Sequence, residues 1–370
     1  MLHARILSLF LLAPLGLALP AAAEPVPMSA EAMWELKRLG PPAVSPDGRH
    51  TAIAVTTHDR EKNRGLSRIW LFDTRGGEPR PLTSEDGNSS NPLFSPDGRH
   101  LLFESRRGED EAGQLFLLPL DGGEARRLTR VPTGASGARW FPDGRSVAFI
   151  SRVWADESGA LDWEAQGKRL KERRDSKVSA RTWDRAPVRH WDHFLDEREN
   201  HLFRVHLGDG RVEPLTAGRG VALPAQAPSA SAYDIAPDGR ELALVVNVDA
   251  SGVEPNTDII VLPLDGSAPR NLTQANPAPD SGPSYSPDGR WLAWSAQAIP
   301  GFYADRAVLQ VMDRRSGAVT AVTEGLDRSI GNPLWSADGR SVVVAVDDAA
   351  TTRLHRIAIP GGRATPITGE

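Results

Sequence analysis

The chain has 370 residues, with 43 Lys+Arg against 48 Asp+Glu, 40% hydrophobic residues, 25% charged residues and no cysteine. This is a globular composition, long enough to bury a sizeable core, and a net charge of −5 gives no electrostatic ground for nucleic-acid binding. The missing cysteines exclude disulfides, thiolate metal sites and cysteine nucleophiles, while 34 glycines and 30 prolines point to many turns.

The first 23 residues, MLHARILSLFLLAPLGLALPAAA, have the form of a cleavable secretory signal. Arg5 supplies the positive end, Ile6 to Leu19 the apolar run, and Ala21-Ala22-Ala23 a small-residue site before Glu24. The run is shorter than the roughly 20 residues that a membrane span needs. The expectation is a periplasmic or secreted protein cut near Ala23–Glu24, with residues 24–42 as a lead-in and no later membrane span.

From residue 43 one pattern recurs six times: a short strand, a turn ending in Asp-Gly-Arg, then an apolar strand. The turn aspartates are Asp47, Asp97, Asp143, Asp238, Asp288 and Asp338, spaced 50, 46, 95, 50 and 50 residues apart. In the turn, Pro presets φ, Asp accepts local backbone N–H groups, and Gly takes the left-handed conformation. A second pattern, an apolar strand followed by a polar turn and a strand closing on Thr, ends at Thr83, Thr129, Thr216, Thr273, Thr323 and Thr368. Together they give four strands per unit, which predicts an all-β fold, a β-propeller with blades at about 43–83, 93–129, 139–216, 233–273, 283–323 and 333–368. Runs such as Leu101-Leu102-Phe103 and Val342-Val343-Val344 are apolar on both faces, as expected for blades packed between two neighbours.

The doubled spacing after Asp143 marks an insertion, residues 152–200, between the second and third strands of the third blade. It holds 22 charged residues in 49 and four of the ten tryptophans, Trp154, Trp163, Trp183 and Trp191. Helix-favouring residues predict a helix around Trp163 to Lys177. Such a segment is either a solvated, salt-bridged face or a lid over a substrate entrance. His190 and His193 flank Asp192, but no HExxH accompanies them, so no metal and no other cofactor is expected. Packing and ion pairing of Arg189, His190, Trp191 and Asp192 against the blade is the structural expectation for this stretch.

No G-x-S-x-G elbow, P-loop, G-x-G-x-x-G or EF-hand loop occurs, and no strand–helix alternation supports an α/β-hydrolase sheet. A reactive hydroxyl beside an imidazole and a carboxylate is therefore not expected within the propeller.

The opening stretch MSAEAMWELKRLGPPAVSPDGR (28–49), with SRVW (151–154), RHWD (189–192), PGFYADR (300–306) and LDRSIGNPLWSADGR (326–340), resembles the N-terminal propeller of the prolyl oligopeptidase family of serine peptidases. Within that family it looks like the dipeptidyl-peptidase and acylaminoacyl-peptidase branch. The resemblance implies a propeller of about seven blades, of which these are the first six, followed by a C-terminal α/β-hydrolase domain missing from this chain. It also implies short peptide substrates admitted through a narrow cavity, with Arg189, His190, Trp191, Asp192, Asp305 and Arg306 bordering the path. The alternative is a non-enzymatic periplasmic propeller of TolB type, a scaffold for protein–protein contacts.

Overall fold

The computed structural model describes residues 27–156, 158–183, 186–226, 228–249 and 256–368, so the leader read over 1–23 lies outside the described residues. Each repeat folds into one antiparallel sheet, and six sheets follow one another around a ring as a β-propeller. Blade 1 has a divided first strand, Arg38–Leu39 and Ala43–Val44, both paired with His50–Asp59. The other five blades have four strands each. In blade 3 these are Ser136–Trp140, Ser146–Val153, Glu199–His206 and Val212–Pro214, so the insertion leaves after the second strand and returns at the third.

In blades 1, 2, 3 and 5 the first strand begins upstream of the apolar signal. In blade 2 the strand starts at Gly87, where the polar Asn88-Ser89-Ser90 segment gives no strand pattern and the register shifts between Ser90 and Leu93. Asn91 takes φ +50° at that shift. A bulge of this kind bends the innermost strand and breaks the alternation by which strands are read.

The repeated turn works through three bonds. In blade 1 the Ser45 hydroxyl donates to Asp47 Oδ1 at 2.6 Å, Arg49 N donates to the same oxygen at 3.1 Å, and His50 N donates to Ser45 Oγ at 2.9 Å. The Arg N to Asp Oδ1 bond recurs at Asp97, Asp143, Asp238, Asp288 and Asp338. Gly48, with φ +69°, supplies the backbone conformation that a Cβ would disfavour.

The closing threonines form a second repeated device. In every blade the Thr hydroxyl accepts the backbone N–H of a third-strand residue 14 positions earlier: Ile69, Leu115, Leu202, Ile259, Leu309 and Leu354, at 2.8–3.0 Å. The fourth strand is only two or three residues long in each blade, so this side-chain bond extends the pairing beyond the ladder.

Five apolar clusters join neighbouring blades, in order 1–2, 2–3, 3–4, 4–5 and 5–6. Among the described residues no such cluster joins blade 6 to blade 1. Burial follows from this. In blade 5 the strand Trp291–Ala296 is buried at all six positions, whereas in blade 6 Ser341–Asp348 alternates, with Val342, Val344 and Val346 buried and Val343 half-buried. The expectation of burial on both faces therefore fails for Val343: its face of blade 6 has no sheet packed over it. Leu354 and Leu334 are left 39% and 69% exposed on that blade.

Candidate functional site

The two faces of the ring differ. On one face the Asp-Gly-Arg turns stand side by side: a Cβ at Gly98, Gly144, Gly239 or Gly289 would lie 3.6–3.8 Å from Pro46, Pro96, Pro142 or Pro237 of the preceding blade. Gly339 approaches Asp288 in the same way, while Gly48 of blade 1 meets nothing. The opposite face carries the loops between second and third strands, including the insertion of blade 3 and the loop 297–307 of blade 5.

All five exposed aromatic residues among the described residues lie on this opposite side: Trp34, Trp191, Phe194, Phe302 and Tyr303. Trp34 belongs to the short helix Ala30–Glu35 and packs edge-on against His58 at the end of the second strand of blade 1, centroids 5.2 Å apart.

The insertion is tied down by residues other than those expected. Asp162 caps the helix Trp163–Asp175, accepting from Glu164 N and Ala165 N. The Gln166 amide brackets the backbone of Trp154, accepting from its N–H at 3.1 Å and donating to its carbonyl at 2.8 Å. The Trp154 ring lies between the guanidinium groups of Arg169 and Arg198, at 4.3 and 5.2 Å, and its Nε1 donates to Glu197. Burial works to raise the Glu197 carboxyl, but bonds from Arg173 and Trp154 together with backbone and charge effects outweigh it and hold the group at about 2. Arg152 and Arg198 pair with Asp196 at 3.4 and 2.8 Å, completing an ionic knot at the base.

Above this base, Arg189–His190 and His193–Phe194 pair as a hairpin with Trp191 and Asp192 at its tip. Trp183 braces the hairpin, its Nε1 donating to Leu195 O at 2.9 Å and its ring 5.3 Å from Phe194. Trp191 is 83% exposed and has φ +49°, at a turn position where glycine is preferred and a bulky residue is strained. Arg189, His190, Trp191 and Asp192 line an open cavity of about 710 Å³. The expectation that these four anchor the insertion to the blade is thus corrected: they form its free tip, because Trp154, Gln166, Asp196 and Glu197 do the anchoring. The Asp192 carboxyl accepts from His193 Nδ1 at 3.2 Å, and this bond holds it below the usual range.

Asp305 and Arg306 organise the blade 5 loop. Asp305 Oδ2 accepts from Ala298 N and Ile299 N at 2.6 and 2.8 Å, bonds that lower its pKa, and so pins the loop that presents Phe302 and Tyr303. The Arg306 guanidinium donates to the carbonyls of Glu324 and Leu326, stitching the loop to the link between blades 5 and 6.

A hydroxyl–imidazole–carboxylate chain does occur: Thr216 Oγ1 lies 3.0 Å from His201 Nδ1, and His201 Nε2 lies 3.2 Å from Glu199. Its chemistry is structural. Thr216 is the closing threonine of blade 3, fully buried, and its oxygen already accepts from Leu202 N. In blade 2, Gln114 holds the position of His201 and accepts the Thr129 hydroxyl at 2.8 Å. No substrate atom reaches such an oxygen. No group of three or more His, Asp or Glu side chains is placed to hold a metal among the described residues.

Fold and repeats define a β-propeller, and residues 36–177 match the family model described as PD40, the TolB beta propeller domain. More particularly, the chain is similar to dipeptidyl-peptidase 5 of Porphyromonas gingivalis, 26% identical over 353 residues that cover 92% of this chain and 49% of the relative. Dipeptidyl-peptidase 5 of Trichophyton equinum is 28% identical over 207 residues, 50% of this chain and 28% of the relative. The chain thus spans about half the length, or less, of these curated relatives.

Among solved structures, Pyrococcus horikoshii acylaminoacyl peptidase superposes with a TM-score of 0.66 at 14% identity, covering 91% of this chain and 47% of that one. The β-propeller domain of the trilobed protease from Pyrococcus furiosus, which has an open velcro topology, gives 0.60 at 14% identity, covering 90% of this chain and 84% of that domain. The expected likeness to the propeller of prolyl oligopeptidase family peptidases is therefore found.

Proposed function

We propose that this chain is the propeller part of an exported serine peptidase acting on short peptides, and that its aromatic face is where an α/β-hydrolase domain docks. The observation that carries this is the gathering on one face of all five aromatic residues exposed among the described residues. Exposed aromatics of this kind mark contact surfaces, and aromatic side chains supply much of the energy of docked interfaces. The names of the relatives, dipeptidyl-peptidase 5, and the half-length coverage support a second domain that carries the chemistry. A further blade would cover the flank of blade 6, where Leu334 and Leu354 are exposed.

On this proposal the ring acts by steric selection, admitting a chain end and refusing a folded domain. The strained Trp191 tip, with Arg189, His190 and Asp192, borders the path that the peptide takes. Asp305 and Arg306 serve it indirectly, by holding the Phe302–Tyr303 loop.

The test joins this chain to the reading frame that follows codon 370 in the gene. The expected frame carries G-x-S-x-G followed by Asp and His, and the joined protein cleaves dipeptide-linked substrates. Trp191→Ala and Tyr303→Ala then lower kcat/KM about tenfold or more, whereas Val319→Lys leaves it unchanged. Unchanged KM and kcat in Arg189→Ala and Asp192→Asn would remove those residues from the path. A following frame without hydrolase motifs would overturn the proposal in favour of the TolB-like scaffold, to which the PD40 match applies equally.

A further inference from the structure

The arginines of the insertion fall into two groups. Those at its base have carboxylate partners: Arg152 and Arg198 hold Asp196, Arg169 and Arg173 hold Glu197, and Arg174 holds Glu111, at 2.6–3.4 Å. Arg181 and Arg189, toward the tip, have no ion pair or hydrogen-bond partner among the described residues. Arg181 meets the Phe194 ring, 6.0 Å away, and Arg189 is the cross-strand partner of Phe194. Both unpaired guanidinium groups thus belong to one rung of the hairpin. Asp192, the acid of the tip, is already engaged with His193 Nδ1 at 3.2 Å.

Charge follows the same division. Among the described residues of 177–194, Lys177, Arg181 and Arg189 stand against Asp192, on a chain whose net charge is −5. A guanidinium that no neighbour claims keeps its planar fork of donors for a ligand, and that fork matches a carboxylate bidentately. Solvation alone would account for an unpaired surface arginine. It does not account for the residue two places on, Trp191, held open to solvent at φ +49°.

The hairpin is also fastened. Leu195 N donates to Val188 O at 3.0 Å, which extends the pairing below Arg189 and Phe194, and Leu195 itself is 3% exposed. Trp183 Nε1 donates to Leu195 O from the side. Arg189 and Trp191 are therefore presented on a braced stem, which lowers the ordering cost of binding.

Resting on the reading that this tip borders the path of a peptide, we propose that it receives a carboxylate of that peptide in the cavity of about 710 Å³. Arg189 takes the carboxylate, Arg181 adds positive potential, and the Trp191 ring stacks on the side chain next to it. The substrate class is short peptides that carry a negative charge, at the chain end or on an Asp or Glu side chain.

The test is calorimetric titration of the full chain with three tetrapeptides: Gly-Phe-Gly-Phe, its C-terminal amide, and that amide with Asp in third place. The peptide that supplies the carboxylate should bind about tenfold more tightly than the plain amide. Preference for the free acid assigns the chain end, and preference for the Asp-containing amide assigns a side chain. The preference should fade as salt rises from about 0.05 to 0.5 M. Arg189→Gln should abolish it, Arg189→Lys should keep part of it, and Lys171→Gln, on the exposed helix, should leave it unchanged. Trp191→Ala should weaken all three peptides alike. Equal affinity for the three, no binding of any, or a preference that survives in Arg189→Gln would overturn the proposal. In the joined protein the same preference appears in KM. Cleavage of all three peptides with one KM leaves the peptidase reading standing and overturns this proposal. Carboxylate binding by the chain without cleavage by the joined protein does the reverse.

Discussion

Replacing Thr129 by Val tests whether the closing threonines hold the blades. Thr129 is 1% exposed, its hydroxyl accepting from Leu115 N at 2.9 Å and donating to Gln114 Oε1 at 2.8 Å. Valine keeps the branched shape and removes the oxygen. Leu115 N–H then has no acceptor in a region closed to water, a cost of about 1–3 kcal/mol, and the bond to Gln114 adds about 1 kcal/mol more. Gln114 Oε1 keeps a second donor in Val131 N at 3.2 Å, so the loss there is partial. The extra methyl returns about 0.8 kcal/mol, which leaves a net loss of about 1–3 kcal/mol. Urea unfolding should show a lower midpoint at unchanged slope, and hydrogen exchange should show faster opening at Leu115. Thr129→Ser should recover most of the loss. In blade 6 the Thr368–Leu354 bond has the same length class, 3.0 Å, but lies exposed, so Thr368→Val should cost under about 0.5 kcal/mol. Equal losses in Thr129→Val and Thr368→Val, or a negligible loss in the first, would refute the account.

Three further outcomes follow from the same structure. Leu309 and Leu354 occupy equivalent positions in blades 5 and 6 but are 0% and 39% exposed, so Leu309→Ala should cost about 2–5 kcal/mol and Leu354→Ala under about 1 kcal/mol by urea unfolding. Ala349 and Ala350 form the two-residue turn of blade 6 with φ +48° and +62°, so Ala349→Asn with Ala350→Gly should raise stability by about 1–2 kcal/mol. The Glu197 carboxylate, held at about 2 against its usual 4.5, contributes above its unfolded value and is lost only as pH falls through about 2. Hydrogen exchange over Trp163–Asp175 should therefore stay slow at pH 4 and rise below pH 3, whereas Glu197→Gln should loosen the helix already at neutral pH.

Much of the architecture was legible because it is written in local chemistry. Asp47 and its five counterparts need only their own turn to act, and the threonines need only a strand 14 residues away. The insertion was placed by counting, and its helix by the propensities of Trp163 to Lys177. What could not be read depends on neighbours distant in sequence. Val342-Val343-Val344 has the same apolar pattern as Leu101-Leu102-Phe103, and only the sheet beyond it decides whether Val343 is covered. The Trp191 tip was misjudged for a similar reason. Composition assigns a tryptophan to packing, and a two-residue turn made of Trp and Asp lacks the Asn-Gly signal that announces a hairpin.

The adjacency of turns around one face, Pro against Gly from blade to blade and nothing against Gly48, has a mechanical meaning. Each sheet leans only on those beside it, so small rotations add along the series as they do in a split washer. The two lips of the split are where such motion is greatest and where unravelling begins. Whatever clamps those lips sets the bore of the whole washer without touching its centre.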